Sequence, residues 1–193
     1  MSSPGPAAAP PRARKIMLAV LLAVIVIGVV FLGVAGWRVM SQKDATLVAP
    51  ARVGGLSLDG SEDGRSTADY LQTALSATVD LDSAVGAVYH DAGGRNVLFT
   101  GGTALIWRPE NALDGAFGLV ADDQGAVTSV HSVPAGTFGG TMKCGTTRTD
   151  DGAMPVCGWA DHGSVALAMF PQRSEAEAAG ILREIRDSAQ TRA

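Results

Sequence analysis

GGTMKCGTTRTDDGAMPVCGWADHGSVALAMF, residues 139–170, holds three strand-like segments and both cysteines of the 193-residue chain. Apolar and β-branched stretches are broken at TDDG and again at ADHG, where Asp and Gly favour tight turns. A hairpin centred between Asp150 and Asp151 puts Cys144 directly opposite Cys157. Opposed residues on antiparallel strands come within disulfide reach. Closing a loop of about 14 residues in this way contributes on the order of 3 kcal/mol and implies an oxidising compartment. Trp159, two residues beyond Cys157, shares its strand face, so the indole is expected beside the disulfide as core.

Working outward, residues 164–170 supply the third strand and SEAEAAGILREIRDSAQ (174–190) a helix. Ser174 and Glu177 form a capping box, and Ala178, Ile181, Leu182, Ile185 and Ala189 make one buried stripe. Upstream, Val127, His131 and Val133 alternate onto one face of a strand. Residues 85–90 and 95–100 form a hairpin across DAGG. Tyr70, Leu71, Ala74, Leu75 and Thr78 line one face of a helix over 66–78, capped by Ser66 or Thr67. Pro109 at a first helical position opens another helix, with Ala112, Leu113, Ala116, Phe117 and Val120 at helical spacing. Residues 47–60, interrupted by Gly54 and Gly55, read as a short edge strand or an extended lead-in. The order βα, ββ, α, four strands, α predicts an α+β domain over 47–193. Its expected form is two layers, with a largely antiparallel sheet packed by about three helices.

Before this domain comes IMLAVLLAVIVIGVVFLGVAGW, residues 16–37, an unbroken apolar run preceded by Arg12, Arg14 and Lys15. As a helix it is about 33 Å long, enough for a hydrocarbon core of roughly 30 Å. Residues 1–15 read as a disordered cytoplasmic tail and 38–46 as a linker. Residues 1–44 carry five basic side chains against one acidic, whereas from Ala45 onward ten face eighteen, a net of −8. Basic flanks orient a span and an acidic domain repels phosphate backbones, so nucleic acid is excluded as a partner. The expected topology is a signal anchor in the cell membrane, N-terminus cytoplasmic and domain extracytoplasmic. A cleaved signal peptide is the rival reading, though its apolar region is normally about 7–15 residues.

Three chemical readings compete within residues 139–170. Asp161, His162 and Ser164 are the residue types of a hydrolytic triad, but neighbours on a tight corner project apart, and a solvated polar turn is the alternative. Met142, Cys144, Met154 and Cys157 offer soft ligands suited to Cu(I), provided that both cysteines are reduced. The third reading is purely structural, and on it no cofactor or metal is expected. Trp107 and Arg108, at a strand-to-helix junction, form either an exposed lip or a partly buried corner. Together with Asp161 and His162 they are the candidate surface or binding residues. The carboxylate pairs Asp122–Asp123 and Asp150–Asp151 lack the ligand spacing of a calcium loop and read as solvated turns.

PARVGGL (50–56), GGTMKCG (139–145) and CGWADHGS (157–164) together resemble uncharacterised single-pass membrane proteins of high-GC actinobacteria that carry a Cys-paired extracytoplasmic domain. Twelve arginines against three lysines fit a GC-rich coding origin. The resemblance implies topology and supplies no activity or ligand. The expected function is therefore a non-enzymatic, membrane-anchored binding, sensing or envelope-assembly domain. Its expected partner is an envelope protein or a cell-wall ligand.

Overall fold

The apolar run lies inside a single helix, α1 (Pro11–Gln42), in the computed structural model, which describes residues 11–118, 120, 126–150 and 152–192. Residues 1–10, the Asp122–Asp123 pair and Asp151 lie outside the described residues. α1 is longer than the run at both ends. Pro11 sits at the first helical position, where its missing N–H costs nothing, and Arg, Met and Gln beyond Trp37 are good helix formers. The helix therefore takes in residues 11–15 of the expected tail and most of the expected linker at 38–46. Its section Arg14–Gln42 is long and apolar enough to cross a membrane, and its large side chains point outward all round. The chain divides into two units, residues 1–38 and 39–193.

In the second unit, β1 (Ala45–Leu47), β2 (Arg52–Val53) and β3 (Leu56–Leu58) precede α2 (Glu62–Thr78). The hairpin β4 (Ser83–His90) and β5 (Asn96–Thr103) then leads into α3 (Pro109–Gly118). After these come β6 (Thr128–Ser132), β7 (Thr141–Thr149), β8 (Gly152–Ala160), β9 (Ser164–Met169), α4 (Glu175–Ala189) and β10 (Gln190–Arg192). Eight strands form one antiparallel sheet in the order β2-β3-β4-β5-β9-β8-β7-β6, and β1 pairs separately with β10. The α+β class, the antiparallel sheet and the three packing helices agree with the sequence reading.

Cys144 faces Cys157 in the β7–β8 ladder and the two are joined by a disulfide. The capping box of α4 also forms as read, Ser174 Oγ accepting from Glu177 N–H while the Glu177 carboxylate accepts from Ser174 N–H. For α2 the cap is Ser61 rather than Ser66 or Thr67. Ser61 Oγ accepts from Gly64 N–H at 3.0 Å, and Glu62 and Asp63 occupy the first turn, where carboxylates complement the helix dipole. Strand β6 breaks the expected alternation. A register shift between Thr128 and His131, with Ser129 at a φ of 55°, leaves the whole strand exposed.

Both faces of the sheet are covered, one layer more than the expected two-layer packing. On one face Met142, Cys144, Cys157, Trp159, Ala166, Ala168 and Phe170 pack with Ala178, Leu182, Ile185 and Ala189 of α4. Trp159 stacks on Phe99 with centroids 5.8 Å apart. On the other face, Val156, Ala160, Val165 and Leu167 meet Leu75 of α2 and Leu113, Ala116 and Phe117 of α3. Strands buried on both sides lose polar alternation, and β8 and β9 read accordingly as near-continuous apolar runs.

Gly86 of β4 lets α2 approach, since a Cβ there would overlap the Ala68 backbone. Gly86→Ala is expected to push α2 off the sheet at a cost of about 1–3 kcal/mol, read from urea denaturation of the full chain.

Candidate functional site

Between α2 and the strands β5, β7, β8 and β9, beside Val120, an apolar cleft of about 280 Å³ opens. Tyr70, Leu71 and Ala74 of α2 form one wall; Leu98, Leu167 and Met169 the floor; Val120, Met154 and Thr147 the far side. The volume lies near the lower end for small-molecule sites, which combine apolar lining with a few placed polar groups. Thr147 is such a group. It is 3 % exposed, and its hydroxyl has no hydrogen-bond partner among the described residues. A buried hydroxyl left unpaired costs about 1–3 kcal/mol, so this position carries a polar group that packing alone does not favour. Thr100 contrasts with it, donating at 3.1 Å to the Leu71 carbonyl and so fixing α2 over the floor. Across the sheet, Lys143 holds α3 by pairing with Asp114 at 2.7 Å. Thr147 lies six residues along β7 from Thr141, about 20 Å at the usual strand rise. The cleft thus sits at the end of the sheet opposite the Asp161–Gly163 turn.

At that turn the candidate residues are arranged unlike any catalytic set. Asp161 is fully buried, a correction to its reading as a surface or solvated-turn residue. One carboxylate oxygen accepts from the backbone N–H groups of Gly163 and Ser164 at 2.8 Å each. The other accepts from Arg186 at 2.8 Å and from Gln190 and Arg192 at 2.7 Å each. Burial alone would raise this carboxyl's pKa. The hydrogen bonds from Gln190, Gly163 and Arg192 and the Arg186 charge outweigh it and hold the pKa below the usual carboxylate value. Arg186 is buried as well, stacked over Phe138 and Trp159, and also donates to the Ala135 and Gly139 carbonyls. Burial pulls the Arg186 pKa down from its ordinary value, against the opposing pull of Asp161.

His162 turns the other way. Its Nδ1–H donates to the Ile106 carbonyl at 2.8 Å, and its backbone N–H donates to Gln42 Oε1 at 3.1 Å. Ser164 is fully buried and its hydroxyl accepts from Trp159 Nε1–H at 3.2 Å. None of these bonds links Ser164 to His162 or the His162 ring to Asp161, so the three do not assemble a nucleophile, base and orienting acid.

The four soft-ligand candidates are separated too. Both sulfurs are committed to the disulfide, and Met154 lines the cleft face while Met142 packs on the face of α4. Odd and even positions of a strand face opposite sides, which puts Met154 across the sheet from Cys157. Trp107, by contrast, is 71 % exposed beside an exposed Arg108, so the junction is a lip. The cleft has no local sequence signal because its lining comes from α2, Val120 and four strands distant along the chain. No protein-family model, curated protein or solved structure matches the chain.

Proposed function

We propose that this chain is a single-pass, membrane-anchored extracytoplasmic binding domain that holds a small, largely apolar envelope molecule in the cleft beside α2. The cleft, apolar in its lining and including Thr147, whose hydroxyl has no hydrogen-bond partner among the described residues, is the observation that carries the reading. Such a hydroxyl both donates and accepts, which suits a ligand with one polar group on an apolar body. The apolar length of α1 supports the anchor. The Cys144–Cys157 disulfide supports placement in an oxidising compartment, with the basic N-terminal flank inside. Kinship with single-pass actinobacterial membrane proteins belongs to the same proposal, as does a role in sensing or envelope assembly.

The test is to purify the full chain from native membranes and identify small molecules released on denaturation. The wild type is expected to release one compound at about one per chain, and Ala74→Trp, which fills the cleft, none. Release of the same compound in equal amount from Ala74→Trp contradicts the proposal. Thr147→Val separates binding from folding. Removing a hydroxyl that has no partner among the described residues is expected to raise stability by about 1–3 kcal/mol while lowering ligand occupancy.

A further inference from the structure

A second cavity, of about 180 Å³, adjoins the cleft. Thr149 and Met154 line both, while Ala153, Pro171 and Gln172 belong to the second alone. Thr147 and Thr149 are two positions apart on β7, so they share one strand face at a spacing of about 7 Å. Their side chains lead from the apolar cleft toward the second cavity. Thr149 Oγ1 donates to the Gly152 carbonyl at 3.0 Å and keeps its lone pairs as acceptors. Gln172 follows Pro171 at a φ of 58°, a turn position where glycine or asparagine costs least. Its carbonyl accepts from Arg95 at 3.5 Å, while its side-chain amide has no hydrogen-bond partner among the described residues. A glutamine held in this strained conformation beside a cavity points to a use for its side chain.

We propose that the second cavity is the head-group subsite of the cleft and that the ligand is an uncharged amphiphile. A single apolar chain lies over Leu71, Leu98 and Leu167, and a hydroxylated head of glycerol-like chemistry reaches Thr149 and Gln172. The inference rests on the proposed ligand-holding role of the cleft. Threonine hydroxyls and the glutamine amide both donate and accept, which matches the hydroxyl and ester groups of such a head. Among the described residues no charged side chain lines either cavity. Residues 119–125 and 151 contain no basic residue. Arg95, which touches the Gln172 carbonyl, is itself paired with Asp91 at 2.9 Å and lies 3.7 Å from Glu177. An ionised carboxylate or phosphate in these surroundings loses its hydration without gaining a countercharge, a far larger cost than for a hydroxyl that finds hydrogen bonds. The same walls therefore admit an acylglycerol and reject the fatty acid of equal chain length.

Carbon-13 methionine-methyl NMR of the full chain in phospholipid nanodiscs tests this, after bound small molecules have been removed by detergent exchange. Met154 and Met169 report on the cleft, Met142 on the opposite face is the control, and Met17 in the apolar run reports how much probe enters the lipid. Decanoylglycerol is expected to shift the Met154 and Met169 signals saturably and to leave Met142 unmoved. Decanoate at neutral pH and equal lipid loading should give no saturable shift. Gln172→Ala is expected to weaken decanoylglycerol binding roughly 2–12-fold, the worth of one hydrogen bond, with the thermal midpoint unchanged. Decanoate binding as tight as that of decanoylglycerol, or wild-type affinity in Gln172→Ala, would overturn the head-group subsite while leaving the cleft as an apolar site. No shift of Met154 or Met169 with either probe would remove the cleft reading itself and, with it, this inference.

Discussion

Asp161→Ala is expected to destabilise the domain by about 3–5 kcal/mol, the usual cost of removing one partner from a buried charge cluster. The substitution leaves Arg186, 1 % exposed, and Arg192 without the carboxylate they share, and frees the N–H groups of Gly163 and Ser164. A domain's whole stability is about 5–15 kcal/mol, so the loss is a large fraction of the total. Asp161→Asn, which keeps the shape and part of the hydrogen bonding, is expected to cost less than Ala. The pH dependence has a defined sign. Because the folded-state pKa lies below the ordinary value of 3.8, the stabilisation is present above that value and is lost as pH falls through the folded pKa. Urea denaturation of the full chain in nanodiscs, followed by Trp159 fluorescence, is expected to show a wild-type stability that drops below about pH 4. The Asp161→Ala protein, already weakened, should show less of that drop. Equal acid sensitivity in the two proteins would move the titrating group elsewhere.

Reduction of the Cys144–Cys157 disulfide is expected to lower stability by about 3 kcal/mol, mainly by releasing loop-closure entropy in the unfolded chain. Both cysteines are fully buried within the face that packs on α4. Cys144→Ala with Cys157→Ala should therefore cost more than reduction, because missing sulfur leaves space as well as freeing the loop. Comparing reduced wild type with the double variant by denaturant midpoint separates the crosslink from the packing. The same difference predicts poorer accumulation of the folded domain when it is confined to a reducing compartment.

What the sequence discloses depends on how far apart the cooperating residues lie. The Cys144–Cys157 register follows from one turn, and the stripe of α4 from one helical period, both local patterns. Arg186 sits beside that stripe and reads as an exposed charge. It is buried because Asp161, 25 positions earlier, waits at the end of β8 with two backbone N–H groups and Gln190 around it. A second hub follows the same logic. Asp91, in the turn between β4 and β5, accepts from Arg95 and from buried Arg173, 82 positions on. The glycines of DAGG disclose that turn but not its distant partner. The coverage of both sheet faces is legible in the continuous apolar runs of β8 and β9, which lack the polar alternation of a half-exposed strand. The cleft had no local signal, because Leu71, Met154 and Leu167 meet only after the sheet has formed. Thr147 looks like any strand threonine until its surroundings are known.

Photo-crosslinking from the mouth of the cleft in intact cells most directly tests ligand holding in the envelope. Tyr70, 72 % exposed beside the opening, is replaced by p-benzoylphenylalanine, and exposed Arg148, on the strand face away from the cleft, serves as control. After irradiation, mass spectrometry of the purified chain is expected to show one discrete low-mass adduct at position 70. No such adduct is expected at 148, and it should disappear when Ala74→Trp is added. Absence of an adduct at position 70, or equal labelling at both positions, would contradict the account.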